Sequence, residues 1–374
     1  MISKQQNIGR RQKELAAVME KDGLAAIALV PGPSLRYLTG LGFMLTERPI
    51  IGVFTPSGPA TMIVPDLERM KLDEAEFGLN AFNYGENPET WPGIFAEALG
   101  NIALTSGEIG VEELSIRLLE LRILEDALPG ITIKEADEIP ATLRRRKDET
   151  ELALMREAAK IAQGALESTT ATLKIGMSEK EAAAELTSQL FRQGSGVELP
   201  FEPIVSTGLN SANPHALPSD RKLAEGDLLV IDFGATVDGY FSDITRTFAV
   251  GEVEEEFAKI HMIVQEANAA ARAAVRPGTT CGEVDKAARD VIEHAGYGDY
   301  FIHRTGHGLG LEIHEEPYMR AGNDMVLEPG MTFTIEPGIY LPGRGGVRIE
   351  DDVAVIEDGI ESFSDLPREM ISIG

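Results

Sequence analysis

The chain has 374 residues, of which 43% are hydrophobic and 6% aromatic, so it is long enough for two domains and too apolar for a disordered protein. Its 34 basic and 61 acidic residues give a net charge of −27. This charge argues against nucleic acid and anionic membrane surfaces as partners, and its simplest role is to keep the protein in solution.

Cysteine content and hydropathy predict a cytoplasmic location. The single cysteine, Cys281, has no partner for an intramolecular disulfide. The N-terminal segment carries Glu14, Glu20 and Lys21, where a signal peptide would need an unbroken apolar run. No stretch reaches the length of a membrane span, so we expect neither a signal peptide nor a membrane anchor.

In the N-terminal part of the chain, helical and strand patterns alternate, which predicts a small α/β domain. Helical periodicity extends over residues 10–20 and 112–124, and short apolar runs predict strands at 25–30, 50–54 and 61–64. The domain boundary is expected near residues 135–147. We therefore divide the chain into domains 1–140 and 141–374.

A charged stretch, Arg144-Arg-Arg-Lys-Asp-Glu149, lies at this boundary. A binding patch is one interpretation, but a run of four basic residues is short, and we interpret the stretch as a solvated linker. An amphipathic helix pattern begins directly after it and extends to about Leu173.

Helix starts are well marked in the C-terminal domain. Ser178 with Glu181, and Thr280 with Glu283, fit the capping box, in which each side chain satisfies a backbone donor of the other residue. Helices are predicted from about residues 149, 178, 253 and 281, with β-hairpins at 228–249 and 331–356. The order helix, helix, hairpin occurs twice, which predicts an internally duplicated α+β domain.

Each predicted hairpin carries a pair of acidic residues. In the first, Asp238-Gly239 fits a type I′ turn, which places Asp232 opposite Thr245 and brings Asp243 to the same face, diagonal to Asp232. In the second, a loop at 342–344 places Glu336 opposite Glu350.

Apolar, β-rich residues surround these acids, so we expect them to be buried rather than solvated. Asp232 follows Leu228-Leu-Val-Ile231, and Glu336 follows Phe333-Thr-Ile335. A buried carboxylate pair without a counter-charge is costly, and a divalent ion removes that cost. The neighbouring Asp351 and Asp352 are interpreted as solvated or structural.

Three of the six histidines, His303, His307 and His314, fall within one glycine-rich segment. Glycines at 306, 308 and 310 predict an irregular loop with close backbone approach rather than a metal-binding helix. A fourth, His215, lies in Asn213-Pro-His-Ala216, whereas His261 and His294 lie in helical patterns and are interpreted as structural or solvent-exposed.

Four carboxylates and one imidazole are a ligand set suited to two divalent metals that share a water. The sequence therefore predicts a dinuclear metallohydrolase. Its candidate ligands are Asp232, Asp243, His307, Glu336 and Glu350. Competing motifs are missing, since the chain has no GxSxG elbow, no GxxxxGK[ST] loop and no GxGxxG fingerprint.

Several segments resemble the pita-bread family of metallopeptidases, which includes methionine aminopeptidase, aminopeptidase P, prolidase and the metal-free creatinase. They are Ile231-Asp-Phe-Gly, Ser242-Asp-Ile-Thr-Arg-Thr, the stretch 303–317, Thr334-Ile-Glu-Pro-Gly-Ile-Tyr and Gly346-Val-Arg-Ile-Glu-Asp. The N-terminal part, with Arg36-Tyr-Leu-Thr-Gly, resembles the creatinase-type domain of the Xaa-Pro peptidase branch. The resemblance implies a pita-bread catalytic domain after a smaller creatinase-like α/β domain.

The same resemblance implies roles for the site residues. The five candidates bind two divalent metals, expected to be manganese, with cobalt, zinc or iron as alternatives, and Asp243 and Glu350 bridge or chelate them. A metal-bridging hydroxide attacks the Xaa-Pro bond while Glu336 relays the proton. The remaining roles go to His303 and His314, which hold the substrate and the oxyanion, to His215 beside the proline pocket, and to Arg348, which orients the carboxylates.

Several alternatives stay open at this point. An Xaa-Pro dipeptidase needs a group that captures the proline carboxylate, for which Arg320 and Arg344 are candidates, whereas an Xaa-Pro aminopeptidase accepts longer peptides. The fold also hosts non-peptide C–N hydrolases, lyases and binding-only proteins. A homodimer is implied, in which Trp91 either caps the partner's site or anchors a helix start.

Overall fold

The computed structural model of the chain describes residues 4–75, 77–102, 104 and 106–374. Two compact units divide between Arg144 and Arg145, in the last turn of a helix. Each unit has its own hydrophobic core. Among the helices within these ranges, none has both the length and the apolar character that crossing a bilayer requires.

The first unit is a mixed sheet with helices packed against it. Its elements are α1 (Lys4–Asp22), β1 (Ala26–Leu29), α2 (Pro33–Thr39), β2 (Ile51–Phe54), β3 (Ala60–Pro65), α3 (Arg69–Asp73), β4 (Leu79–Tyr84), α4 (Trp91–Asn101), β5 (Gly107–Val111), α5 (Leu118–Ala127), β6 (Ile131–Glu135) and α6 (Glu138–Arg145). The strand order is β4-β3-β2-β1-β5-β6. Phe95, Leu99 and Leu124 from α4 and α5 are fully buried in its core.

Most of the elements predicted in this unit are confirmed, but the helix predicted at 112–124 is wrong at its start. It begins only at Leu118. The preceding residues form a turn, because the backbone N–H of Glu113 donates to Asp137 at 2.7 Å and that of Ile116 donates to the Glu112 carbonyl at 2.9 Å. Trp91 begins α4 and packs on Tyr84, with 5.1 Å between the ring centroids.

The interpretation of residues 144–149 as a solvated linker is also wrong. The side chain of Lys147 is 1% exposed, and its Nζ forms an ion pair with Glu315 at 2.5 Å. Arg145 pairs with Glu316, and Asp148 caps the next helix in a capping box with Glu151. The charges are therefore used internally, each by a partner or a helix end.

The second unit contains the two repeats. Its elements are α7 (Glu149–Thr170), α8 (Glu179–Gln193), β7 (Ile204–Thr207), β8 (Leu228–Phe233), β9 (Thr236–Val237), β10 (Tyr240–Phe241), β11 (Ile244–Val250), α9 (Glu255–Ala274), α10 (Cys281–His294), β12 (Gly306–Gly308), β13 (Glu315–Met319), β14 (Thr332–Ile335), β15 (Gly338–Leu341), β16 (Gly345–Arg348), β17 (Asp351–Ile356), β18 (Gly359–Ser362) and β19 (Ser372–Ile373). The predicted order of helix, helix and hairpin is confirmed in both halves.

Local sequence signals explain where the helices of this unit begin. Both predicted capping boxes, at the starts of α8 and α10, are present with reciprocal hydrogen bonds. The apolar faces of α9 and α10 cover the second hairpin, and this core includes Ile260, Val264, Val284, Phe333 and Ile349. Cys281 is buried in it, and burial raises the pKa of its thiol to about 12.

The first hairpin has the predicted turn and register. Asp238 and Gly239 have φ angles of 48° and 81°, as a type I′ turn requires. Asp232 pairs with Thr245 in the β8–β11 ladder, and Thr236 pairs with Phe241 in the β9–β10 ladder. The register is therefore the same on both sides of an interruption at residues 234–235 and 242–243.

The second hairpin is interrupted in the same manner. Ile335 pairs with Asp351 in the β14–β17 ladder, and Gly338 pairs with Arg348 in the β15–β16 ladder. The turn residue Gly343 has a φ angle of 72°. Residues 336–337 and 349–350 thus lie outside the ladders while the register continues across them, as the predicted pairing of positions 336 and 350 requires.

Candidate metal centre

The interruptions of the two hairpins bring the predicted carboxylates into one region. Asp232 lies near the end of β8 and Asp243 immediately before β11. Glu336 follows β14, and Glu350 precedes β17. Because the ladder hydrogen bonds stop at these points, the backbone is free to direct acidic side chains toward a common space between the hairpins.

The glycine-rich segment brings the imidazole to the same space. Gly306–Gly308 form a short strand, β12, whose pairing with β13 contains a register shift, and residues 303–305 and 309–314 are irregular, as predicted. The predicted close approach is confirmed, because a Cβ at Gly306 would lie 1.8 Å from the Thr334 carbonyl oxygen and one at Gly308 would lie 2.3 Å from the Glu316 carbonyl carbon. Glycine at both positions lets His307 enter between two backbones.

The orientation of His307 suits a ligand. Its Nδ1 lies 3.1 Å from the Gly308 carbonyl oxygen, so Nδ1–H donates there and Nε2 keeps a free lone pair. This Nε2 is 3.6 Å from Asp243 Oδ2 and 3.5 Å from Glu336 Oε1. Burial, and then the charge of nearby His314, lower the pKa of His307, which favours the neutral form that binds metals.

Three of the five predicted residues already form a compact set of donors. Ligand atoms of Asp243, His307 and Glu350 all lie within 4.8 Å of one another, and these residues are buried. Among the described residues, Asp232 Oδ1 and Asp243 Oδ1 are buried oxygens without a hydrogen-bond donor. Such oxygens are costly unless a cation occupies the space they face.

The pKa shifts of the acidic residues also favour a cation at this site. Burial raises the pKa of Asp243 and Glu350 well above the usual range, and the charges of neighbouring carboxylates raise each further. Burial, reinforced by Asp232, raises the pKa of Glu336 to about 7. The acids repel one another in a water-poor space, and a bound divalent ion would reverse this balance.

Arg348 organises the carboxylates from one side. Its guanidinium donates to Asp232 Oδ2 at 2.5 Å, to Thr245 Oγ1 at 3.1 Å and to the Tyr340 hydroxyl at 2.8 Å. The Thr245 hydroxyl donates in turn to Glu350 Oε2 at 2.6 Å. Thr245 and Tyr340 were not predicted as site residues; the register that pairs position 245 with Asp232 is the signal that identifies Thr245.

His303 lies beside this network with both ring nitrogens engaged. Nε2 is 3.0 Å from the Tyr340 hydroxyl, and Nδ1 is 2.7 Å from the Arg304 carbonyl oxygen and 4.0 Å from Glu336 Oε2. Burial lowers the pKa of His303 to about 4. This histidine is therefore a fixed, neutral group at the edge of the site.

His314 and His215 are placed differently, because both are exposed. The His314 ring meets that of His307 edge to face, with 4.2 Å between centroids. His215 has its backbone N–H bonded to Asn213, and the preceding carbonyl, of Pro214, lies 3.4 Å from Arg348 Nη1. Both histidines are thus on the open side of the site and free to meet a ligand.

The loop that carries His215 is held by a carboxylate that the sequence did not identify. Glu179 is fully buried at the start of α8 and, among the described residues, has no basic partner. It accepts hydrogen bonds from the backbone N–H groups of Thr207 and Ser219, at 2.7 and 2.9 Å, and from the side chains of Asn210 and Ser219, at 3.0 and 2.6 Å. A capping pattern at Ser178 gave no reason to expect this role.

Of the two acids after Glu350, neither is solvated. Asp351 is fully buried, and Arg246 and Arg368 lower its pKa in spite of the opposing effect of burial. Asp352 is 1% exposed, and its Oδ2 accepts the backbone N–H of Asp243 at 2.9 Å. The structural interpretation of both residues is therefore confirmed, and the solvated one is excluded.

The two arginines considered for substrate binding lie elsewhere. Arg344 forms ion pairs with Glu254 and Glu256. Arg320 is exposed, and its Nη1 lies 3.5 Å from the Ala321 carbonyl. Arg304 is different, because its guanidinium lies 4.5 Å above the ring of Tyr318, whose hydroxyl is 3.5 Å from the His314 carbonyl.

Comparisons with known proteins agree with this geometry. Residues 153–357 match the family model described as metallopeptidase family M24, and residues 11–146 match the creatinase/prolidase N-terminal domain. The chain is 40% identical over 97% of its length to the probable dipeptidase PepE of Mycobacterium bovis, of which it covers 96%. It is 34% identical over 97% of its length to the Xaa-Pro dipeptidase of Pyrococcus horikoshii, of which it covers 99%. The crystal structure of a prolidase from Thermococcus sibiricus superposes with a TM-score of 0.92 at 36% identity, over 98% of this chain and 99% of that one.

Proposed function

Because the chain belongs to metallopeptidase family M24 and carries the creatinase/prolidase N-terminal domain, we propose that it is a metal-dependent Xaa-Pro dipeptidase. The observation that carries the proposal is that four carboxylates at or beside the interruptions of two hairpins lie together with the imidazole from β12, with two buried carboxylate oxygens that lack a donor among the described residues. Relatives named dipeptidase and Xaa-Pro dipeptidase, matched over nearly the whole chain, support this substrate class.

Two divalent ions fit the residues present. Asp232, Asp243, His307, Glu336 and Glu350 offer hard oxygen donors with one borderline nitrogen, a set suited to manganese and open to cobalt, zinc or iron. Asp243, His307 and Glu350, whose ligand atoms lie within 4.8 Å of one another, would hold an ion together. When bound, the ions supply an activated water and polarise the scissile carbonyl.

The protein groups around the metals supply positioning and proton transfer. Glu336 accepts a proton from the attacking water and delivers it to the proline nitrogen, which carries no hydrogen of its own in the Xaa-Pro bond. His314, exposed and with a free ring, donates to the developing oxyanion. His303 contacts the substrate from its fixed position, His215 lies beside the proline ring, and Arg348 holds Asp232 in place.

Arg304 is the group that favours a dipeptide. It is half-buried, among the described residues no acid forms an ion pair with it, and it is stacked on Tyr318. Burial, and then the charge of Arg304, lower the pKa of His314, which shows that the guanidinium lies within electrostatic reach of the site. A cation there would bind the free carboxylate of a C-terminal proline, which a longer peptide lacks at that position.

Hydrolysis of Ala-Pro, Ala-Pro-Ala and Ala-Ala after loading with manganese tests the proposal. Cleavage of Ala-Pro alone is the expected result. Preferential cleavage of Ala-Pro-Ala would instead establish an Xaa-Pro aminopeptidase. No cleavage of any of the three would overturn the peptidase proposal and favour a non-peptide C–N hydrolase or lyase on the same fold.

Manganese, a cytoplasmic location and a homodimer are further parts of the proposal. The ligand set supports the first, and the single buried cysteine is compatible with the second. Metal analysis of the purified protein and light scattering test the metal and the oligomeric state directly.

A further inference from the structure

The interruption of the second hairpin contains a backbone carbonyl that its own strands cannot satisfy. Pairing stops at Ile335–Asp351 on one side and resumes at Gly338–Arg348 on the other, and between them the Ile349 N–H donates to the Pro337 carbonyl at 3.4 Å. The Ile349 carbonyl lies opposite Pro337, which has no N–H, so it needs a donor from elsewhere. Ile335 and Ile349 each directly precede a candidate ligand, Glu336 or Glu350.

One side chain from α9 supplies a donor to both. Asn268 is fully buried, and its Nδ2 lies 3.1 Å from the Ile335 carbonyl oxygen and 3.4 Å from that of Ile349. The same nitrogen is 3.1 Å from Asp351 Oδ2. A single amide therefore joins the two strands at the edge of the interruption.

A buried ionic group fixes this amide and the strand beyond it. Asp351 accepts from Arg246 Nη2 at 2.8 Å and from Arg368 Nε at 2.7 Å. Arg246 Nη1 also donates to the Glu350 carbonyl oxygen at 2.6 Å. The Arg246 guanidinium thus holds both the carbonyl of Glu350 and the carboxylate of Asp351, to which Asn268 donates.

The first hairpin has the equivalent backbone bond and adds a side chain of its own. The Ser242 backbone N–H donates to the Ala235 carbonyl at 3.0 Å, and the Ala235 N–H donates to Ser242 Oγ at 3.0 Å. These bonds lie within the hairpin itself. The second hairpin alone of the two uses a helix side chain that reaches both ligand-bearing strands in this way, within the described chain.

We propose that Asn268 is a positioning residue that sets the separation of Glu336 and Glu350 and thereby the affinity of the centre for its metals. The proposal rests on the proposed function, since it takes both glutamates as ligands. Asn268 contacts neither substrate nor metal. It acts through the backbone, by joining the carbonyls of the residues that directly precede the two ligands.

Metal affinity measured by calorimetry in two variants tests the role. Asn268→Leu keeps the volume and removes the donor, and Asn268→Ser keeps one small donor. We expect manganese to bind about 10- to 100-fold more weakly to Asn268→Leu, the range typical of groups that orient metal ligands, and with an intermediate loss to Asn268→Ser. At saturating manganese, kcat recovers and KM for Ala-Pro is unchanged.

A control separates this role from general damage to the core. His261 is another buried polar residue of α9, and its ring forms a hydrogen bond with the backbone of Thr247 in the first hairpin. His261→Gln is expected to lower the melting temperature in EDTA without weakening manganese binding. Circular dichroism in EDTA establishes that each variant is folded.

The outcomes separate the two proposals. Manganese affinity of Asn268→Leu within twofold of the wild type, or an equal loss in His261→Gln, overturns the role of Asn268 while the proposed function stands. A wild-type protein that binds no divalent ion overturns the proposed function, and the role of Asn268 with it.

Discussion

Arg348 and Asp232 form a buried ion pair at 2.5 Å across the two repeats, since one residue lies in each hairpin. The pair compensates one of the carboxylates of the centre before any metal binds. It also fixes Asp232 Oδ2, which leaves Oδ1 as the buried oxygen without a donor. A cation of the protein thus holds one oxygen of this carboxylate, and the other would be left for a metal ion.

Removal of this cation should destabilise the metal-free protein. In Arg348→Met the Asp232 carboxylate is left buried without its partner, and we expect a loss of about 3 kcal/mol of unfolding free energy in EDTA. Urea titration measures the change. With saturating manganese the loss should be smaller, because the metal supplies part of the missing charge; an equal loss in both conditions would contradict the arrangement. Arg348→Lys, which keeps the charge, is the matched control.

The raised pKa of Glu336 predicts a pH-dependent stability difference. A carboxyl group whose pKa rises from its ordinary range to about 7 on folding favours the folded state at low pH, and this contribution is lost as pH increases through about 7. In EDTA, Glu336→Gln should therefore match the wild type near pH 5 and exceed it in stability by roughly 1–3 kcal/mol near pH 8. Melting curves of both proteins across this pH range measure the difference in stability. The histidines titrate in both proteins, so their contribution drops out of this difference. A constant difference would show that Glu336 has an ordinary pKa.

Arg304 should make the protein bind a substrate with a free C-terminal carboxylate more tightly than one with a C-terminal amide. Arg304→Gln is expected to raise KM for Ala-Pro by about 10- to 100-fold, the equivalent of one hydrogen bond to a charged group, and to leave the weaker hydrolysis of Ala-Pro-amide nearly unchanged. Steady-state kinetics with both substrates measures the ratio. Arg320→Gln is the control, since Arg320 is exposed. If that variant instead lost the preference for Ala-Pro over Ala-Pro-amide, Arg320 would be the residue that binds the substrate carboxylate.

Glu179 should contribute more to the free energy of unfolding than Glu181, which lies in the same turn of α8. Glu179→Ala leaves the donors of Thr207, Asn210 and Ser219 without an acceptor in a buried position, and we expect a loss of about 3 kcal/mol. Glu181→Ala removes a capping contact and an exposed ion pair with Lys222 and should cost much less. Denaturation of the two variants compares them, and similar losses would mean that Glu179 acts only through the helix start.

Sequence patterns predicted the elements that depend on neighbouring residues. The Asp238-Gly239 turn sets the register of the first hairpin, and that register places Asp232 beside Thr245. Capping boxes located the starts of α8 and α10 for the same reason, because all their partners lie within three residues. Sequence context also pointed to the two carboxylate pairs and His307 as candidate ligands, and the family resemblance then implied their roles.

Residues whose role depends on distant partners were not predictable in this way. Lys147 reads as part of a basic run, but its partner Glu315 is 168 residues away and both are buried. Asn268 lies in a helical pattern, and its acceptors are 67 and 81 residues further along. Local sequence periodicity carries no information on such contacts. The residues that support the carboxylates from behind could therefore be identified only in the structure.

The constant register across both interruptions limits how these hairpins can change in length. Side chains alternate between the two faces of a strand, so a slip of β11 by one residue along β8 would move Asp243 to the opposite face relative to Asp232. A slip of β17 along β14 would separate Glu336 from Glu350 in the same way. Changes in either turn therefore keep the centre only where the loop absorbs them and the strand pairing stays unchanged.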